Sequence, residues 1–137
     1  MLFRSAEGAA SGALPTREGA RLHELQVRYG GEDGPDLPEV GAETGLGERG
    51  VVELHASLTY EVLFLGFAPG FAYLGELPPV LVLPRLRTPR VRVPPGSVAI
   101  AGPMTAVYPG ASAGGWRLLA HTGLLTEFGR ASCRERV

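Results

Sequence analysis

Glycine and proline divide this sequence into short apolar segments, and that spacing restricts the regular structure that the chain can form. Twenty glycines and twelve prolines are distributed over 137 residues. The segments between them are rich in aromatic and β-branched residues, which is typical of short strands joined by tight turns. The length suits one domain with a hydrophobic core of its own. The sequence therefore predicts a mainly β domain, either a barrel or a sandwich.

The predicted strands are short and lie mostly in the second half of the chain. Six segments have strand character, namely residues 22–29, 60–67, 80–83, 97–101, 105–108 and 116–121. Residues 68–75 are predicted to be a loop. Residues 84–92 are predicted to be a connection, because their prolines exclude them from a central strand. Residues 6–21 have no hydrophobic period and are predicted to be a linker.

Two short helices are predicted between the first strand and the second. The first spans residues 37–44 and the second spans residues 48–57. Asp36 is followed three residues later by Glu39, which is the pattern of a capping box at a helix start. Gly45 is placed to end the first helix. The two helices should form a small hairpin inserted into the β domain.

Charge, cysteine and hydropathy exclude several classes of protein. The formal net charge is −1, and no basic patch is large enough for nucleic-acid binding. No apolar run approaches the ~20 residues of a membrane span, and no signal-peptide pattern is present. The single cysteine and the scattered histidines lack the spacing of a metal site. We therefore expect a cytoplasmic protein with no nucleic-acid, membrane or metal partner.

The two ends of the chain have a different character from the rest. Residues 129–137 read GRASCRERV, which can be back-translated into an in-frame passage through a sequencing adapter. Residues 1–5, MLFRS, fit the opposite end of such an adapter. The alternative is an ordinary start and a short charged tail. We expect both ends to be artefacts of an incomplete gene and exclude them from functional reasoning.

Two groups of polar residues could carry chemistry. His55 ends the second predicted helix, where it could act as a general acid or base or hold a substrate carboxylate. It could equally be a partly buried side chain that packs beside Tyr60. Arg85, Arg87, Arg90 and Arg92 form a dense cluster that could bind carboxylate, carboxyphosphate or nucleotide through guanidinium groups, or could simply be a solvated loop. Arg90 is the best single candidate for an anion site.

The segment 66–75 has an unusual composition. It places three aromatic residues and a proline between glycines, which permit close approach of the backbone to a ligand. A loop that plugs the core would have a similar composition. Residues 102–108 and 114–116 could form further rims of a pocket. Trp116 belongs to the last of these, although a tryptophan is more often part of the core.

An ordered series of motifs runs from residue 25 to residue 122. It comprises VRYGGEDGPDL, VVELH before a strand containing tyrosine, FLGFAPGFAYLG, TPRVRVPPGSVAIAG, TAVYP and GGW. In this order the chain resembles the family of 5-oxoprolinase B subunits. That family is also described as allophanate hydrolase subunit 1, the carboxyltransferase C/D subdomain or the KipI-type kinase inhibitor. One departure is Met104, which stands where the family usually has glutamine.

The resemblance implies a cyclophilin-like β-barrel over residues 22–128, with a short two-helix insertion. The family has another domain before this region and further strands after it. We therefore expect an incomplete barrel that is inactive alone. The family's motifs place His55 and Arg90 as predicted catalytic residues. The predicted substrate-binding residues, also on motif positions, are Tyr60, Gly66, Phe67, Pro69, Gly70, Phe71, Tyr73, Ser97, Thr105 and Tyr108.

The function implied by the resemblance is that of one component of a multi-subunit enzyme. Together with the A and C subunits of 5-oxoprolinase, it would hydrolyse 5-oxo-L-proline to L-glutamate with hydrolysis of ATP, and ATP would be bound by the complex. Two alternatives remain open. One is a binding module that inhibits a histidine kinase. The other is a biotin-dependent carboxyltransferase domain acting on an amide of the urea or allophanate type.

Overall fold

The structure is a computed structural model that describes residues 2–6, 20–66 and 71–123, with residues 2–6 and 20–22 described by their backbone alone. The strands of this part are β1 Leu2–Ala6, β2 Ala20–Glu24, β3 Val27–Tyr29, β4 Thr59–Leu65, β5 Ala72–Gly75, β6 Arg90–Val93, β7 Ser97–Ala101, β8 Met104–Val107, β9 Ser112–Gly114 and β10 Arg117–Thr122. Helices α1 Leu37–Thr44 and α2 Gly47–Ser57 lie between β3 and β4. The mainly β class with a two-helix insertion is confirmed. Within the described ranges, neither helix has the length and apolar character needed to cross a membrane.

Eight of the strands form one sheet in the order β2–β1–β4–β5–β8–β7–β10–β3, so β2 and β3 are its edges. In a flat sheet, seven spacings of about 4.8 Å would separate these edges by roughly 34 Å. However, β2 ends at Glu24 and β3 begins at Val27, and three Cα steps reach at most about 11 Å. The sheet must therefore be rolled until its edges approach each other. This agrees with the expected incomplete barrel.

The rolled sheet buries side chains on both of its faces. Neighbouring residues of a strand alternate between the faces, so the pair Ile100 and Thr105 lies on one face and the pair Ala99 and Ala106 on the other. The first face forms the inner core, which the helices cover through apolar residues such as Val51. The second face forms the outer core, whose members are Phe71, Val93, Ala99, Ala101, Ala106, Tyr108, Trp116 and Leu118. Strands β6 and β9 pair as a separate small sheet beside the outer core.

The helix hairpin follows the sequence signals at most of its ends. Helix α1 has the predicted bounds, and Gly45 ends it with a φ of 76° while its N–H donates to the carbonyl of Ala42. Helix α2 begins one residue earlier than predicted. The capping box was wrong, because Asp36 makes no side-chain bond to the start of the helix. The carboxylate of Asp36 binds the guanidinium group of Arg90 instead of the N–H groups of the helix.

Several predicted segments differ from the observed ones because long-range pairing overrides local composition. Residues 22–29 are split between two edges of the sheet, and residues 72–75 form β5 rather than a loop, since β4 and β8 pair with them on either side. The possible strand at residues 80–83 is largely a 3₁₀ helix, Pro79–Leu81. Residue 6 and residues 20–21 of the predicted linker belong to β1 and β2. Residues 129–137 lie outside the described part, and the adapter origin of both ends stays a prediction.

Candidate functional site

A cleft of about 90 Å³ opens on the outer core beside the small sheet of β6 and β9. Strand β5 and the residue before it supply two aromatic rings, the residue after β8 supplies a third, and β9 supplies the backbone of a glycine. The lining residues are Phe71, Tyr73, Arg85, Tyr108, Gly114, Gly115 and Trp116. The cleft is therefore built from segments that are distant in sequence and meet only through the sheet.

Aromatic rings form the walls of this cleft. Phe71 meets Tyr108 edge-on at 5.3 Å between ring centroids and meets Trp116 edge-on at 5.8 Å. Tyr73 lies 5.8 Å from Trp116 and stacks at 4.3 Å on Phe64, whose side chain is half exposed. Such ring pairs add about 0.5–1.5 kcal/mol each beyond the burial of apolar area. These contacts hold the rings that line the cleft against one another.

The polar groups of the cleft are a phenol and a guanidinium. Burial raises the pKa of Tyr108, while the charge of Arg85 and a hydrogen bond from the backbone of Trp116 lower it. The hydroxyl of Tyr108 packs against Gly114 so closely that a Cβ at that position would overlap it. Arg85 is exposed at the rim. The cleft thus combines a buried neutral hydroxyl with a solvent-facing cation.

Arg90, a predicted catalytic residue, pairs with a carboxylate of its own chain. Its Nη1 and Nη2 donate to Asp36 Oδ2 and Oδ1 at 2.6 and 2.8 Å. Asp36 Oδ2 also accepts the backbone N–H of Leu118 at 2.7 Å. The hydrogen bond to Asp36 raises the pKa of Arg90. We call this arrangement the Asp36–Arg90 clasp, and it ties β6 to β10 and to the start of α1.

His55, the other predicted catalytic residue, lies in the inner core with no exposed surface. Its Nδ1 is 2.7 Å from the Tyr29 hydroxyl, and its Nε2 is 3.0 Å from Thr105 Oγ1. Thr105 uses its one proton to donate to the carbonyl of Ala99 at 2.8 Å. Thr105 must therefore accept from His55 Nε2–H, which leaves Nδ1 to accept from Tyr29. These hydrogen bonds fix the tautomer of His55. We call the series Tyr29–His55–Thr105 the histidine relay.

Burial keeps the histidine relay uncharged. Desolvation lowers the pKa of His55 to about 3, so its imidazole is neutral at neutral pH. Tyr60 donates to the backbone carbonyl of His55 at 2.7 Å, and its ring lies 5.3 Å from the imidazole. Burial raises the pKa of both Tyr29 and Tyr60. In this setting His55 organises the inner core, and it does not line the cleft.

The predicted site residues therefore fall into separate groups. Phe71, Tyr73 and Tyr108 meet in the cleft, whereas His55, Tyr60 and Thr105 meet in the inner core. The remaining predicted residues lie elsewhere.

Ser97 donates to the carbonyl of Pro94 in the turn before β7, and the N–H of Gly66 donates to the carbonyl of Phe71. Phe67, Pro69 and Gly70 lie outside the described residues.

Sequence reasoning missed the partners of both predicted catalytic residues. Tyr29 belongs to an alternating segment, and nothing local connects it with His55, 26 residues away. The sequence predicts a helix cap at Asp36, whereas its carboxylate accepts hydrogen bonds from Arg90 on β6 and Leu118 on β10. The one sequence signal for Tyr29 is the alternation along VRY, which places Tyr29 on the same face of its strand as Val27 and so towards the core.

Comparison with known proteins places this architecture in a family. Residues 4–128 match the carboxyltransferase domain, subdomain C and D. The chain is 57% identical over 105 residues to the B subunit of 5-oxoprolinase from Escherichia coli O157:H7, covering 77% of this chain and 48% of the relative. It is 46% identical over 104 residues to the B subunit of 5-oxoprolinase from Bacillus subtilis (strain 168), covering 76% and 43%.

Solved structures show the same fold. The conserved uncharacterized protein PH0987 from Pyrococcus horikoshii is 48% identical, with a TM-score of 0.72 over 76% of this chain and 48% of that one. TTHA0988 is 49% identical, with a TM-score of 0.67 over 72% of this chain and 20% of that one. The chain spans about half the length of the curated relatives it matches. It belongs to the family of the carboxyltransferase domain, subdomain C and D.

Proposed function

We propose that this chain is part of the B subunit of an ATP-dependent 5-oxoprolinase, which hydrolyses 5-oxo-L-proline to L-glutamate. The observation that carries the proposal is the 57% identity to a protein of that name, extended over three quarters of the chain. Two further relatives with the same name match at 46% and 44% identity. Identity at this level over a continuous stretch favours the same activity.

The cleft on the outer core is the proposed substrate site. 5-Oxoproline combines a flat cyclic amide with a carboxylate. Flat aromatic walls at Phe71, Tyr73 and Trp116 suit the ring, and the hydroxyl of Tyr108 can donate to an amide oxygen. The cleft therefore offers the two kinds of contact that this substrate requires.

ATP and the partner subunits belong to the proposal for the complex. A cleft of about 90 Å³ is small beside the ~300–1,000 Å³ of sites for drug-sized ligands, so it does not suit a nucleoside triphosphate. The chain contains no lysine and hence no Walker loop. We propose that ATP is bound by a complex with the A and C subunits, and no step of the proposed chemistry depends on its position.

His55 and Arg90 take positioning roles in this proposal. Arg90 holds the small sheet of β6 and β9 against β10 through Asp36, and β9 contributes Gly114 to the cleft. His55 contacts Thr105 on β8, and Tyr108 follows directly after that strand. In this proposal Arg90 therefore positions Gly114, and His55 positions Tyr108.

The proposed activity is tested by reconstitution. The full-length protein is combined with the A and C subunits, and formation of L-glutamate and ADP is measured with 5-oxo-L-proline and ATP. Both products should appear when all three components are present, and omission of this one should abolish coupled turnover. Equal turnover without it would contradict the proposal.

A matched pair of variants tests the positioning role of Arg90. Arg90→Ala should raise KM more than it lowers kcat and should preserve assembly, because the small sheet loses its anchor. Arg92→Ala, an exposed change on the same strand, should leave both constants unchanged. Wild-type KM in Arg90→Ala would remove Arg90 from the proposal.

A second candidate function is supported by the family description, carboxyltransferase domain. In that case the chain would serve biotin-dependent transfer of a carboxyl group to an amide of the urea or allophanate type. Avidin separates the two functions, because it sequesters biotin. Turnover of 5-oxo-L-proline that survives avidin supports the first candidate, and turnover of urea that avidin abolishes supports the second.

A further inference from the structure

We propose that Arg85 forms a carboxylate-binding site at the mouth of the outer-core cleft, specific for a small flat cyclic amide that carries a carboxylate. The inference rests on the proposed function and deepens it, because it assigns the recognition of the acidic group to one side chain. Sequence reasoning favoured Arg90 for this role. The geometry points to Arg85 for three separate reasons.

The first reason is the charge that each arginine has available. Arg90 is committed to Asp36 through two hydrogen bonds, and Arg117 lies 3.0 Å from a carboxylate oxygen of Glu43. Arg85 makes no ion pair with any residue in the described part of the chain. It is also the cationic member of the cleft lining. A carboxylate entering the cleft therefore meets a guanidinium that is not yet neutralised.

The second reason is that the backbone on both sides of Arg85 is fixed. The carbonyl of Pro84 accepts from Arg117 Nε at 2.8 Å, and the N–H of Leu86 donates to the carbonyl of Gly115 at 2.8 Å. The base of the Arg85 side chain is thus held beside Gly115, while its head group remains exposed. Holding a binding group in place before the ligand arrives lowers the entropy lost on binding.

The third reason is the surface that faces Arg85 across the cleft. The rings of Phe71, Tyr73 and Trp116 line the cleft, and the Tyr108 hydroxyl is close enough for the Arg85 charge to act on its pKa. A flat neutral ring suits these walls, and a carboxylate attached to it suits the bidentate fork of a guanidinium. A cyclic amide with an adjacent carboxylate satisfies both requirements in one small molecule.

The test compares two ligands and three forms of the protein. The ligands are 5-oxo-L-proline and 2-pyrrolidinone, which has the same ring without the carboxylate. Trp116 lines the cleft, so a change in tryptophan fluorescence on binding is measured first. Calorimetric titration of the assembled complex gives the same affinities independently. The forms are wild type, Arg85→Ala and the matched surface variant Arg87→Ala.

Wild type should bind 5-oxo-L-proline about tenfold to hundredfold more tightly than 2-pyrrolidinone, as a charge-assisted hydrogen bond implies. Arg85→Ala should abolish that difference without changing the affinity for 2-pyrrolidinone, and Arg87→Ala should behave as wild type. Equal affinity of wild type and Arg85→Ala for 5-oxo-L-proline would overturn the inference. Because Arg85 is exposed, its replacement by alanine should leave the fold intact, and a change in affinity reports on binding alone.

The outcomes also separate this inference from the proposed function. If the complex forms L-glutamate and Arg85→Ala keeps the wild-type KM, the carboxylate site is wrong and the enzyme function stands. If the cleft binds 5-oxo-L-proline through Arg85 but the complete complex forms no L-glutamate, the site stands and the enzyme function is wrong. Absence of binding in wild type, by fluorescence and calorimetry alike, overturns the site.

Discussion

The two faces of the rolled sheet use similar side chains for opposite purposes. On the inner face, the histidine relay satisfies each nitrogen of His55 with a buried hydroxyl and keeps the ring neutral. On the outer face, the cleft also has a tyrosine hydroxyl and a basic side chain, but Arg85 faces solvent without an ion pair in the described part. A buried polar group whose hydrogen bonds are all satisfied helps to specify the fold. A cation that is held in place without an ion-pair partner is available to bind a ligand.

The Asp36–Arg90 clasp joins the two faces, and breaking it should have the largest effect. Asp36→Ala removes a nearly buried carboxylate and leaves the Arg90 guanidinium and the Leu118 N–H without their acceptor. We expect a loss of about 3 kcal/mol in the free energy of unfolding, measured by urea denaturation. Arg49→Ala is the control, because its exposed pair with Glu53 contributes less than about 0.5 kcal/mol.

The same experiment tests whether the two faces unfold together. Trp116 fluorescence follows the outer core, and far-ultraviolet circular dichroism follows the helices on the inner core. The two transitions should coincide in the wild type. An earlier Trp116 transition in Asp36→Ala would show that the clasp, rather than the shared sheet, couples the faces. Equal stability of Asp36→Ala and wild type would contradict the role assigned to the clasp.

The second effect is a pH dependence that belongs to the inner face alone. The pKa of His55 is lowered from 6.5 to about 3 by burial, so between these values the unfolded chain binds more protons than the folded one. Stability should therefore fall as pH decreases through this window, by up to about 1.4 kcal/mol per pH unit. The measurement is the free energy of unfolding between pH 7 and pH 4, where the histidine contribution should amount to about 3 kcal/mol.

The matched variant for this titration is His55→Gln, which cannot take up a proton. Carboxylates titrate in both proteins, so the difference between their pH profiles isolates the histidine. That difference should shrink as the pH decreases, because only the wild type loses the histidine contribution. Parallel profiles would mean that His55 is not buried in a neutral state.

A smaller effect is expected from a methyl group on the outer face. A Cβ at Gly114 would overlap the hydroxyl of Tyr108, whereas a Cβ at Gly115 would make ordinary contacts with Pro89 and Arg85 at 3.7–3.8 Å. Gly114→Ala should cost about 1–3 kcal/mol of stability through overpacking and should weaken ligand binding in the cleft. Gly115→Ala is the matched control. Similar melting temperatures for the two variants would show that Tyr108 can move aside.

The smallest predicted effect tests the direction of the histidine relay. Tyr29→Phe removes the donor to His55 Nδ1 and leaves that buried nitrogen without its partner. The expected loss in the free energy of unfolding is about 1–2 kcal/mol. The Nε2 proton of His55 should remain in place, since Thr105 still accepts it. Nuclear magnetic resonance of the imidazole nitrogens would reveal a switch of tautomer, which would contradict the assigned direction.

Local signals in the sequence predicted much of the fold. The stop at Gly45 and the strands around Ile100 and Ala106 follow from turn chemistry and side-chain pattern, so their bounds were confirmed almost to the residue. Strand β9 was missed because Ser112–Gly114 has no large apolar or β-branched residue. Its existence depends on pairing with β6, which is a tertiary effect.

The candidate site was less predictable, because it is assembled across the sheet. Spacing placed Arg85 and Arg90 in one cluster but could not show that Asp36, 54 residues away from Arg90, pairs with only one of them. Packing of His55 beside Tyr60 was one of two interpretations of the sequence, but full burial of His55 and its tautomer follow only from the structure. The role of each polar residue depends on whether it already has a partner within the protein. Local sequence does not predict such long-range partners.

The two-residue connection between the edges of the sheet also bears on how the chain is made. Strand β3 follows β2 almost immediately, yet it pairs with β10, where Val27 lies opposite Thr122. Contacts between segments roughly ninety residues apart form late in folding, because closing so long a loop is entropically unfavourable. During synthesis, β3 can pair only after β10, the last of the described strands, has been made. The pairing of β3 with β10 therefore forms after the shorter-range strand pairs that lie between them in the sequence.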